Sequence, residues 1–196
     1  PFSHAFENHF LPKTHEELSL EIMKELNREF QGRLDLTIQI FTGKYHRPFF
    51  HQLVSGELDV DRLDYLSRDS FYTGVVEGKI GTDRIIKMLN VADDKLVVEE
   101  KGLYSIEKFL MARKIMYWQV YMHKTVLAAE KMLISAIMRR KSVLQERGTE
   151  NAVSPLDKML LGQSDLHDFL KLDDADVMIA LKRHEDFDDP LFSYLS

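Results

Sequence analysis

The sequence predicts a mainly α protein with one small β-hairpin, and three observations predict it. A capping box at Thr14–Glu17 precedes apolar residues at helical spacing, Leu18, Ile22, Leu26 and Phe30. The longest helical stretch runs from about Ser105 to Arg140. The one convincing strand signal is Lys95–Glu100, with Leu89–Ala92 and an Asp93-Asp94 turn before it, which reads as a hairpin.

The elements follow in order. Thr14 can accept from the backbone of Glu17 while the Glu17 side chain reaches back, starting a helix of about 16 residues. Leu34 to Phe41 is a short apolar element ended by Gly43. Pro48 starts the next helix, with Phe49, Phe50 and Leu53 turned inward. Asp59 caps a helix from about Val60 to Gly74. Arg84 to Leu89 is short and helical, and the hairpin follows. Arg139, Arg140 and Lys141 suit the negative end of the long helix and read as a solvated helix end. Gln145 to Ser154 is a loop. Three short helices close the chain, about Pro155–Leu161, Leu166–Leu170 and Ala175–Arg183, with Ser164 and Asp174 as caps for the last two.

The chain has 196 residues, 44% hydrophobic and 30% charged, enough for a fair-sized core. The net charge of −6 argues against an extended nucleic-acid surface but allows a local basic pocket. There are no cysteines, which excludes a disulfide scaffold and Cys-based zinc sites and fits a reducing cytoplasm. No apolar run approaches the roughly 20 residues of a membrane helix. The chain starts at Pro1, not Met, and reads as a piece with sequence missing upstream.

The helix after Asp59 is the densest in chemistry. Asp61, Tyr65 and Arg68 recur at i, i+4, i+7, and Arg62, Tyr65 and Asp69 at i, i+3, i+7, so both sets project toward adjoining faces. Leu58, Leu63 and Leu66 leave another stripe to bury. Short carboxylates suit metal ligation and guanidinium groups suit phosphate. The same spacing also makes ordinary surface ion pairs, worth about 0.3–0.5 kcal/mol each. In the long helix, Arg113, Tyr117, Tyr121 and Lys124 fall on one face. The cations would meet a phosphate chain and a tyrosine would stack on a base or bond a sugar hydroxyl. A Tyr-rich core helix with cations at its rim fits the same pattern. His15 lies in a first helical turn, where protonation is disfavoured, and with Glu16 could shuttle a proton. A structural capping-turn histidine is the plainer reading. No His-Glu-x-x-His motif is present.

The Pro1-Phe-Ser-His4 opening, Thr14-His15-Glu16, the Asp59-Val-Asp61-Arg62-Leu-Asp64-Tyr65 helix, and Arg113 through Tyr121-Met-His-Lys124 occur in compatible order and spacing. Together they resemble the HD-domain phosphohydrolases, in particular the deoxynucleoside triphosphate triphosphohydrolase branch. The resemblance covers at least Pro1 to about Lys124, and the Leu170–Leu195 tail looks similar to bacterial members. It implies an HD-domain-like helical bundle around a divalent metal. Residues 1–140 would be the C-terminal part of that domain and 141–196 a helical extension packed on it. The family's metal ligands are a histidine, a His-Asp pair and a distant aspartate. Only the last falls on this chain, at Asp61. His4 and His15 match positions at the phosphate end of the site, and His15, backed by Glu16, matches a proton donor to the leaving group. Arg62 and Arg113 match phosphate contacts. Tyr65 and Asp69 match the clamp on the sugar 3′ hydroxyl, and Tyr121 a ring packing on the nucleoside. Tyr117 stands where the best-known members have histidine, and Arg62 where they have lysine. Both departures bear on the nucleotide more than on the reaction class.

The expectation is a metal-dependent phosphohydrolase acting on a nucleotide or other phosphorylated small molecule, with release of triphosphate from a dNTP as its specific form. Magnesium, manganese, iron, nickel and zinc all suit the single ligand. A cytoplasmic homo-oligomer without membrane contact is expected. A non-catalytic nucleotide sensor and a helical interaction module are the alternatives. A sensor would bind nucleotide without turnover, and a module would bind none.

Overall fold

The computed structural model describes Glu7, Phe10, and residues 13–147 and 154–182. It is mainly α with one two-stranded sheet among these residues, as expected. The chain divides into two compact units. One is Met23–Leu127; the other joins Pro1–Ile22 to Ala128–Ser196.

α1 (His15–Glu29) starts at the expected capping box: Glu17 N–H donates to Thr14 Oγ1 at 3.2 Å, and Thr14 N–H to Glu17 Oε2 at 2.9 Å. Its apolar stripe is only partly covered, since Leu18 and Ile22 are half-buried while Leu26 and Phe30 are exposed. α2 (Asp35–Phe41) ends before Gly43, and α3 (Phe49–Ser55) follows Pro48. α4 (Val60–Thr73) is the acidic helix. Asp59 caps it by accepting from Arg62 N–H at 2.8 Å, and Gly74 ends it in the left-handed region. Leu63, Leu66 and Ser70 form its buried face. Leu63 and Leu66 pack with Ile80, Ile85, Phe109, Ala112 and Met116 as the core of the Met23–Leu127 unit.

A 3₁₀ turn at Val76–Gly78 touches this core so closely that a Cβ on Gly78 would lie 2.4 Å from Met116 Sδ. α5 (Thr82–Met88) leads into β1 (Leu89–Ala92) and β2 (Lys95–Val98), antiparallel with Leu89 opposite Val98. Asp93 and Asp94 both have positive φ, the geometry of a two-residue primed turn. Gln52 ties the hairpin to α3, its Oε1 accepting from Leu96 N–H at 2.7 Å.

The expected helix from Ser105 to Arg140 is not one helix. α6 (Leu103–Met116) passes into a π-turn at Tyr117–Tyr121, helical geometry stops at Met122–His123, and α7 (Lys124–Arg147) begins anew. His123 Nδ1 accepts from Thr125 N–H at 3.3 Å at that restart. No glycine or proline marks the break, which is why helical patterning ran through it.

In the second unit, α8 (Pro155–Leu160) is capped by Ser154 in a full capping box with Asp157. α9 (Leu166–Lys171) is capped by Asp165, not Ser164. α10 (Asp174–Lys182) is preceded by a reciprocal Asp173–Asp176 pair, so its cap is one residue earlier than Asp174. Both shifts favour the aspartate that sits three residues before a partner N–H. Ile137, Leu144, Leu156, Met159, Leu160, Val177 and Ala180 form this unit's core. The basic cluster at 139–141 is no solvated helix end. α7 continues to Arg147, through the start of the expected loop, and Arg140 is 9% exposed. Its Nε and Nη2 meet Asp157 at 2.7 and 3.1 Å, and Nη1 donates to Ala180 O at 3.2 Å. A carboxylate on another helix, invisible to local spacing, draws it inside.

Candidate functional site

α4 and the α6 π-turn pack side by side in the Met23–Leu127 unit and bring five of the candidate residues together. Tyr65 projects from α4 one turn before Asp69. The Tyr121 hydroxyl donates to Asp69 Oδ2 at 2.6 Å. The Tyr65 and Tyr121 rings meet edge to face with centroids 6.2 Å apart, and Tyr117 and Tyr121 likewise at 5.2 Å. The Arg113 guanidinium sits 5.8 Å from the Tyr117 ring centre.

Burial pushes the Tyr65 phenol above its usual range against the opposing pull of Arg113. Tyr121 is raised further, by burial first and then by its bond to the Asp69 carboxylate. For Arg113, burial works against the charge, but contact with Tyr117 and then Tyr65 outweighs it, and the cation is held. The cluster therefore joins a held cation at Arg113 to three phenol rings and the Asp69 side chain. Such a group can pair with an anion, stack on a flat ring and accept from a hydroxyl.

The rest of α4 divides by environment. Asp61 is exposed and bonds no described residue. A lone carboxylate fits a divalent ion as one donor of a set completed by other groups. Arg62 is half-buried and bonds Asp59 and the Gly56 carbonyl. Arg68 pairs with Asp64 in an exposed i, i+4 contact. Lys124 is exposed at the first turn of α7. Off this face, Ser67, Ser70, Phe71, Gly74, Val76, Lys79 and Ile80 line an open groove of about 420 Å³.

His15 and Glu16 lie in the other unit. His15 Nδ1 is 2.8 Å from Glu7 Oε2, and its Nε2 is 3.3 Å from Glu16 Oε1. The imidazole is thus flanked by two carboxylates, with ligand atoms of all three residues within 4.8 Å of one another. Glu7 escaped sequence reasoning, because no motif links it to His15 eight residues on. His4 lies outside the described residues.

The family model described as the HD associated region matches residues 80–196. The chain belongs to this HD-associated family. A solved phosphohydrolase from Bacteroides thetaiotaomicron is 50% identical with a TM-score of 0.91, over 100% of this chain and 51% of that one. The uncharacterized protein YwfO of Bacillus subtilis is 30% identical over 100% of this chain and 47% of its own length. A Dictyostelium discoideum protein named as a deoxynucleoside triphosphate triphosphohydrolase SAMHD1 homolog is 27% identical over 74% of this chain and 32% of its own. This HD-associated chain spans about half the length of the first two. No described helix is long and apolar enough to cross a membrane.

Proposed function

We propose that this chain is part of a metal-dependent phosphohydrolase that acts on nucleotides, hydrolysing a dNTP to deoxynucleoside and triphosphate. The observation that carries this reading is the Arg113–Tyr65–Tyr117–Tyr121–Asp69 cluster, which offers a cation, stacking rings and a hydroxyl acceptor within one patch. Family membership and the phosphohydrolase relative support the reaction class.

In this reading Asp61 would hold the ion, whichever divalent metal it is. A divalent ion supplies Lewis-acid activation of water and neutralises phosphate charge. Arg113 and Arg62 pair with the phosphate chain and offset charge that grows there in the transition state. Tyr65 and Asp69 hold the sugar hydroxyl, and Tyr121 and Tyr117 pack on the nucleoside. Water forms its new bond to the α-phosphorus, and the bond from that phosphorus to O5′ breaks. His15, flanked by Glu16 and Glu7, is by resemblance the residue that would give the leaving oxygen its proton. The working form is a cytoplasmic homo-oligomer.

The test is Asp61→Ala in the full-length protein, screened with dNTPs, NTPs and monophosphates against several divalent metals. The expected result is loss of hydrolysis by at least about 10³-fold with the melting temperature kept. Full activity in the variant overturns the assignment. Nucleotide binding without turnover in the wild type replaces it with the sensor.

A further inference from the structure

The start of α4 holds a contact that a helix cap does not need. Asp59 is 5% exposed. Its Oδ1 accepts from Arg62 N–H, which is the cap. Its Oδ2 pairs with Arg62 Nη1, and that same nitrogen donates to the Gly56 carbonyl. One buried carboxylate therefore grips both the main chain and the guanidinium of a single residue.

The second grip restricts a side chain that is otherwise rich in rotamers. It occupies Nη1 alone. Nε and Nη2 bond no described residue, so three of the five N–H donors remain. The Nε–Nη2 edge is the side-on fork that matches two oxygens of a phosphate. The Arg62 side chain is 27% exposed, so it is anchored at Nη1 without being sealed from solvent. Arg68, on the same helix, shows the contrast. Its partner Asp64 is 65% exposed and anchors nothing.

We propose that Asp59 is a positioning residue that fixes Arg62 so that its Nε–Nη2 edge faces the phosphate chain of the substrate. This rests on the phosphohydrolase reading and names the device by which the site recognises polyphosphate.

The experiment is a double-mutant cycle on the full-length protein. Binding of inorganic tripolyphosphate is measured by calorimetry at fixed Mn²⁺, beside hydrolysis and melting. Asp59→Asn keeps an equally good cap acceptor and removes the charge. It should weaken tripolyphosphate binding about tenfold, the scale of one charge-assisted hydrogen bond. Arg62→Gln should do the same or more. In the Arg62→Gln background, Asp59→Asn should add nothing further. Undiminished binding in Asp59→Asn overturns the proposal, and so does a full tenfold loss on top of Arg62→Gln, because a cap acts whatever stands at the guanidinium. In both cases a wild type that binds and hydrolyses leaves the phosphohydrolase reading standing. A wild type that neither binds tripolyphosphate nor turns over any nucleotide removes both.

Discussion

Replacing Arg140 with Met should destabilise the unit built on Ile137, Leu156 and Val177 by about 3–5 kcal/mol, the usual cost of breaking a buried ion pair from one side. The structure sets the magnitude. Asp157 is 3% exposed and Arg140 9%, so water can replace little of what is lost. The two bonds to Asp157 disappear, and so does the bond to Ala180 O that ties α7 to α10. Asp157 keeps only its capping contacts with Ser154 and is left as a buried anion. At about 2–4 °C per kcal/mol for a chain of this size, melting should fall by roughly 6–20 °C. Urea unfolding followed by far-UV circular dichroism gives the free energy directly. Asp157→Asn should cost a similar amount. The double variant should cost clearly less than the sum, because neither charge is then stranded. A loss under about 1 kcal/mol in Arg140→Met, or simple additivity of the two, would refute the reasoning.

Two further outcomes follow from the other unit. Tyr121→Phe removes the bond to Asp69. Folding raises the Tyr121 pKa, so the folded state holds this proton more tightly than the unfolded one. Its contribution is therefore complete below the unfolded value of about 10 and declines as pH rises beyond it. Melting temperature should fall less steeply above that pH in Tyr121→Phe than in wild type; identical alkaline slopes would count against the bond. Gly78→Ala should destabilise by about 1–3 kcal/mol through overpacking against Met116, measured by urea unfolding, and Met116→Ala in the same chain should relieve part of that loss.

Much of the fold was legible because its signals are local. The Thr14–Glu17 box, the Asp59 cap, Gly74 and the Asp93-Asp94 turn each act over four residues or fewer, and each appears where the sequence places it. What was not legible is set by distant partners. Arg140 resembles its neighbours Arg139 and Lys141 in sequence, and only the arrival of Asp157 sends it inward. The break after Met116 has no breaker residue. It coincides with the segment where Tyr117 and Tyr121 meet Arg113, Tyr65 and Asp69, so its cause is tertiary.

The same division runs through the candidate site. Spacing alone allowed Arg62, Tyr65 and Asp69 to be either an ion-pair row or a binding face. The structure separates them by what each one touches. Arg68 and Asp64 spend their charges on each other in water, where such a pair is worth little. Asp69 instead receives a phenol, and Tyr65 packs against that phenol's ring. A π-turn changes the angle between residues four apart, so Tyr121 does not sit where continuous α-helix would put it relative to Tyr117. Helical spacing grouped Arg113, Tyr117, Tyr121 and Lys124 on one face, but on the assumption of a helix that is not there. Their meeting depends on the irregular turn, and an irregular turn is stable only where side chains repay it. Here the repayment is the Tyr121–Asp69 bond and the ring contacts around it, which makes the geometry of the cluster and the break in the helix one feature of the fold.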